Sequence, residues 1–193
     1  MQNDLIRKRL NTSAEIKLSI SKDEKLVSLI LTVANEIVSA FNSGNAVYFC
    51  GNGGSAADAQ HLAAEFSGRF YIDRKPLPSE ALHCNTSFLT AVGNDYGYEN
   101  VYSRLIEAVG KTGDILVGIS TSGNSANILK AFDTARQKGM ITVGFAGETG
   151  GKMLGITDYL IQIPSTDTPR IQEAHITVGH IICEIVEATL FSK

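Results

Sequence analysis

The residues best equipped for chemistry sit near opposite ends of the sequence. His61 and Glu65 are four apart, a spacing that puts an imidazole and a carboxylate on one face of a helix. Such a pair suits a solvated ion pair as well as half of a metal site. Gln172 and His180 are eight apart, about 80° around a helical axis, and can point into one cleft. Two helices that each supply a pair complete a four-ligand nitrogen and oxygen site, compatible with zinc or another divalent ion. His175 and Glu184 compete for places in it, and spacing alone does not choose among them.

Two glycine- and hydroxyl-rich runs accompany these groups. In Gly51-Asn52-Gly53-Gly54-Ser55 the glycines permit a tight turn and close backbone approach to a ligand. The helix that follows offers unpaired N–H groups and a positive dipole end to an anion, and Ser55 adds a hydroxyl. Ser120-Thr121-Ser122-Gly123-Asn124-Ser125 places four hydroxyls at another helix start, more than one cap uses. Hydroxyls and N–H groups bind phosphate oxygens without a lysine. A Walker loop needs Gly-Lys-[Ser/Thr], which neither run carries. The pattern points to a phosphorylated small molecule.

Rival readings exist. Gly51-x-Gly53-x-x-Ala56 fits a relaxed dinucleotide fingerprint, with Asp73 about twenty residues on and Arg69-Phe70-Tyr71-Ile72 as the strand before it. A Ser/His/Asp hydrolase lacks its Gly-x-Ser-x-Gly elbow. Asn94-Asp95-Tyr96-Gly97-Tyr98 reads as a polar break between Thr86–Val92 and a helical Asn100–Val109, with Asp95 capping the next helix or, with Asn94, holding sugar hydroxyls. Arg69 can reach an anion or a carbonyl oxygen. His83, His175, Cys50, Cys84 and Cys183 form no ligand-like group, and the three cysteines read as reduced thiols.

The elements that must position these groups follow from apolar patterning. Apolar runs at 46–50, 114–119, 141–146 and 159–163, with a weaker strand near Ala81-Leu82, alternate with helical stretches. That order predicts an α/β protein whose parallel sheet is covered on both faces. Ligands in such sheets sit beyond the carboxyl ends of strands, where both runs fall. Two helices precede the first strand, Leu5 to about Ile20 and about Asp23 to Asn42, with Ser21 or Asp23 as N-cap and Gly44 as the stop. They either pack on the chain's own sheet or dock onto another subunit. The last helix runs from about Pro169 to Phe191.

With 193 residues, 44% hydrophobic and 19% charged, the chain reads as one domain, 1–193, with a helical segment at 1–44. A net charge of −3 gives no general attraction to nucleic acid or anionic membrane. The charged start and the lack of an 18-residue apolar run predict a cytoplasmic protein.

Taken together, Cys50–Ser55, His61-x-x-x-Glu65, Gly93–Gly97, Gly118–Ser125 and Arg170-Ile171-Gln172-Glu173-x-His175 followed by His180 closely resemble the phosphoheptose isomerases of the sugar isomerase (SIS) domain family. The resemblance covers essentially the whole chain. It implies a flavodoxin-like three-layer αβα sandwich with extra N-terminal helices, assembled as a homotetramer. It implies one zinc ion per subunit on His61, Glu65, Gln172 and His180. It places substrate on Asn52, Gly53, Gly54, Glu65, Asn94, Asp95, Ser120, Thr121, Ser122, Ser125 and Gln172, with Ser55 close to the phosphate. Glu65 and His180 would carry the proton transfers that turn sedoheptulose 7-phosphate into D-glycero-D-manno-heptose 7-phosphate. One departure is Pro169, where some members have an acidic residue before Arg170; Asp167 is nearby. The alternative from another class is a non-catalytic SIS protein that senses sugar phosphate or binds a partner such as a replication initiator.

Overall fold

The computed structural model describes residues 2–191. Two helices open it, α1 (Gln2–Lys22) and α2 (Glu24–Asn42). Strands and helices then alternate as β1 (Val47–Gly51), α3 (Gly54–Ser67), β2 (Ser79–Ala81), α4 (Thr86–Tyr96), α5 (Val101–Val109), β3 (Ile115–Ile119), α6 (Ala126–Gln137), β4 (Ile141–Ala146), β5 (Tyr159–Gln162) and α7 (Thr168–Phe191). The five strands form a single parallel sheet in the order β2-β1-β3-β4-β5.

Alternation along each strand sends side chains to two separate cores. Val47, Phe49, Ile115, Val117, Val143 and Phe145 face α2, α3 and α7. Cys50, Leu116 and Ala146 face α4, α5 and α6. The result is the expected three-layer sandwich, with the order of strands reversing between β1 and β3. Loops leaving the carboxyl ends of those two neighbours diverge to opposite faces and open a crevice for ligand.

Asp23 caps α2, its carboxylate accepting from the N–H groups of Lys25 and Leu26, and Gly44 follows the helix at φ +78°. The two N-terminal helices differ in burial. α2 buries Leu26, Ile30, Val33, Ile37 and Phe41 against its own sheet. α1 buries Ile20 alone and leaves Leu5, Ile6, Leu10 and Leu18 exposed.

Three expectations need correction. α4 runs through Asn94 and Asp95, and the break falls at Gly97 (φ +88°), so Asp95 caps nothing on α5. Residues 69–72 are not a strand; the second strand is Ser79–Ala81. α7 is long and apolar enough to span a membrane by length and composition, because its polar groups are too dispersed to break the run. Ile171, Ala174, Val178, Ile182 and Val186 of that helix are buried in the core.

Candidate active site

The chain turns from β1 into α3 through Asn52 and Gly53, the latter at φ +56° and ψ −122°. No side chain caps α3; the N–H groups of Ser55 and Ala56 turn back to the carbonyl oxygens of Asn52 and Gly53. Ser55 is buried at this turn. Asn52 is fixed by a reciprocal amide pair with Asn127 of α6: its Nδ2 donates to Asn127 Oδ1 (3.0 Å), and Asn127 Nδ2 donates to Asn52 Oδ1 (2.9 Å). The Tyr98 hydroxyl donates to the same Asn52 oxygen at 3.3 Å.

At the end of β3 the Ser120 hydroxyl lies 2.9 Å from that of Ser125 and 3.5 Å from that of Ser122. Ser125 occupies the N-cap position of α6 but does not cap it. Its hydroxyl is turned to the other serines, which leaves a cluster of donors without a cation among them. Thr121, Ser122 and Asn124 line a cavity of about 260 Å³, with Glu148 and Thr149 beyond β4 and Ser165, Thr166 and Thr168 beyond β5. Those residues on the far wall escaped the sequence reading. Their position after strand ends was the available signal. Asn94 and Asp95 lie in the last turn of α4, where Asn94 Nδ2 donates to Asp95 Oδ1 at 2.7 Å.

α3 and α7 run side by side in the same direction. At their starts the Gln172 side chain packs over Gly54, so tightly that a β-carbon there would fall 2.5 Å from its Nε2. Two turns further on, His61 Nε2 lies 3.0 Å from His180 Nε2 and 3.0 Å from Glu65 Oε1. The His61 side chain is half exposed and Glu65 less so, at 23%. Their ligand atoms and that of His180 all lie within 4.8 Å of one another. Two imidazole nitrogens aimed at each other can share only one proton, so the arrangement favours a cation between them. Ligands of a tetrahedral zinc, 2.0–2.2 Å from the metal, are about 3.3 Å apart, close to these spacings. The three donors therefore fit such an ion and leave its fourth position to a further ligand.

Burial and the neighbouring His61 ring push the His180 imidazole below its ordinary value, against a smaller upward pull from Glu65. Asp58, one turn before His61, went unnoticed in the sequence. Burial raises its carboxyl group, opposed by His61, and its Oδ2 has no partner among the described residues. His175 lies apart from the cluster, wholly buried, with Nε2 3.2 Å from the Ala146 carbonyl oxygen and burial lowering it to about 4. His175 is thus a neutral core residue. Cys50 and Cys183 are buried, and burial raises both thiols.

A doubly wound sheet with a hydroxyl-lined loop at its switch point is the plan of the SIS domain, and residues 13–147 match that family. The chain is 53% identical to the phosphoheptose isomerase of Aneurinibacillus thermoaerophilus over 98% of its own length and 96% of that relative's. It is 53% identical to phosphoheptose isomerase 2 of Campylobacter jejuni over 99% of its length and 95% of that protein. The structure of phosphoheptose isomerase from Neisseria gonorrhoeae matches with a TM-score of 0.92 at 38% identity, covering 97% of this chain and 100% of that one. The chain belongs to the phosphoheptose isomerases of the SIS domain family.

Proposed function

We propose that the chain converts sedoheptulose 7-phosphate to D-glycero-D-manno-heptose 7-phosphate, the first step toward ADP-heptose and the lipopolysaccharide core. The observation that carries this reading is the convergence of His61, Glu65 and His180 on helices whose first turns adjoin a phosphate-type loop. A sugar-phosphate sensor would use the loop but has no need of three converging ligand atoms.

In this assignment Ser120, Thr121, Ser122 and Ser125 hold the phosphate, with Ser55 alongside. Asn52, Gly53, Gly54, Asn94, Asp95 and Gln172 contact the sugar. His61, Glu65 and His180 hold one zinc ion per subunit, with Gln172 as the fourth ligand of the set. Bound there, zinc would supply Lewis-acid stabilisation to a developing oxyanion. Glu65 removes the proton from C1 of the ketose, and His180 delivers one to C2 of the resulting cis-enediolate. With Oε1 turned to His61, Oε2 of Glu65 is the oxygen free to take that proton.

The face of α1 that carries Leu5, Ile6 and Leu10, and an apolar groove of about 470 Å³ among α1, α2 and α7 lined by Ile20, Val27, Leu31 and Ile181, supply contacts for a homotetramer. The enzyme works in the cytoplasm.

Metal analysis together with turnover of sedoheptulose 7-phosphate in heavy water tests the reading. Expected are zinc that is lost in His61→Ala and deuterium at C2 of the aldose. The absence of both metal and turnover would favour the sensor, and full retention of substrate hydrogen would favour hydride transfer or a fully shielded proton.

A further inference from the structure

Beyond the loops and the His/Glu cluster, the carboxylate that accepts the most hydrogen bonds among the described residues is that of Glu187, two turns after His180 on α7. Its Oε1 accepts from the Phe70 N–H (3.0 Å) and Arg74 Nε (2.8 Å), and its Oε2 from the N–H groups of Tyr71 (2.6 Å) and Ile72 (2.9 Å). Both side chains of the Arg74–Glu187 pair are 2% exposed. Burial alone would raise the Glu187 carboxyl group, but the donors from Ile72, Phe70, Tyr71 and Arg74 outweigh it and keep it ionised.

Arg74 uses its remaining donors on the end of α3. Nη2 donates to the Glu65 carbonyl oxygen at 2.8 Å, and Nη1 to those of Phe66 (2.9 Å), Gly68 (3.3 Å) and Lys75 (3.1 Å). The last carbonyls of a helix have no partners within it. Here a buried guanidinium supplies them at the residue whose side chain joins the cluster. The same clamp sets Phe70 against His180, with ring centroids 5.7 Å apart. One ion pair thus touches the supports of both helices that carry the cluster.

We propose that Glu187 and Arg74 are positioning residues for the His61/Glu65/His180 centre, fixing the end of α3 at Glu65 and the Phe70 wall beside His180. The inference rests on the metal reading given above. Groups that orient ligands from behind typically change metal affinity or activity 10–100-fold when altered. Glu187→Gln keeps the shape but turns an amide N–H₂ toward N–H donors. Arg74→Lys keeps the charge and loses the planar fork that reaches several carbonyls. Phe70→Leu keeps the backbone N–H and removes only the ring beside His180.

The test measures zinc affinity by chelator competition on full-length wild type and the three variants, beside kcat, KM and metal-free melting temperature. The expected result is zinc binding weakened about 10–100-fold and kcat lowered with KM nearly constant, because the loop at 120–125 lies on another strand. Should Glu187→Gln fail to fold, Arg74→Lys and Phe70→Leu decide, with Phe70→Leu expected to melt near wild type without metal. Wild-type zinc affinity and kcat in the folded variants would overturn the positioning role while leaving the metal reading intact. A wild-type protein that takes up no zinc would overturn both.

Discussion

Gly179 and Leu62 set the distance between α7 and α3: a β-carbon on the glycine would lie 2.6 Å from both δ-carbons of the leucine. The neighbours of this contact in sequence are His180 and His61, so helix spacing and cluster geometry are one quantity. Gly179→Ala should gain about 1 kcal/mol of helix propensity and lose about 1–3 kcal/mol to overpacking. The expected net result is a modest fall in melting temperature with a disproportionate fall in turnover, read by thermal melts beside isomerase assays.

Glu65→Gln removes the proposed base while keeping its size. Loss of a positioned acid or base typically costs 10²–10⁴-fold in rate, and turnover should fall by at least that range with the circular dichroism spectrum unchanged. A rate near wild type would remove Glu65 from the proton transfer.

Ser120→Ala combined with Ser122→Ala removes two hydroxyls of the loop after β3. Each neutral hydrogen bond contributes about 0.5–1.5 kcal/mol, so phosphorylated substrate should bind about 5–150-fold more weakly. Titration calorimetry with a sugar phosphate checks this, and unchanged affinity would move the phosphate elsewhere.

His175 makes stability depend on pH. Folded, it is held neutral down to about 4, whereas in the unfolded chain it protonates near its ordinary value of about 6.5. The unfolded state therefore binds more protons between those values, and stability falls as pH drops from about 6.5 to about 4, by roughly 3 kcal/mol at most. Glu187, depressed when folded, adds a loss at the acid end. Urea melts across this range should show the slope, flattened above pH 5 in His175→Gln.

Much of this was legible in the sequence because it is local. The apolar runs of β1, β3 and β4, the Asp23 cap and the glycine- and serine-rich loops at strand ends all follow from residues close together in the chain. His61 and Glu65 were legible for the same reason, whereas helical spacing left His180 in competition with His175 and Glu184, and only the family resemblance singled it out. The Glu187–Arg74 clamp was not, since 113 residues separate its partners and each resembles an ordinary surface charge until the fold buries it. Asn127 was hidden likewise: nothing in its own helix announces that its amide answers Asn52 across 75 positions. α4 was read too short because Gly93, Asn94 and Asp95 look like breakers, whereas the chain leaves the helix at Gly97.

The mutual amide grip of Asn52 and Asn127 has a mechanical consequence. It rivets the turn after β1 to the first turn of α6, so the two jaws of the crevice cannot shift independently. A ligand that tugs on the serine side would drag the glycine side with it, and under the proposed assignment grasping the phosphate and seating the sugar would become a single movement.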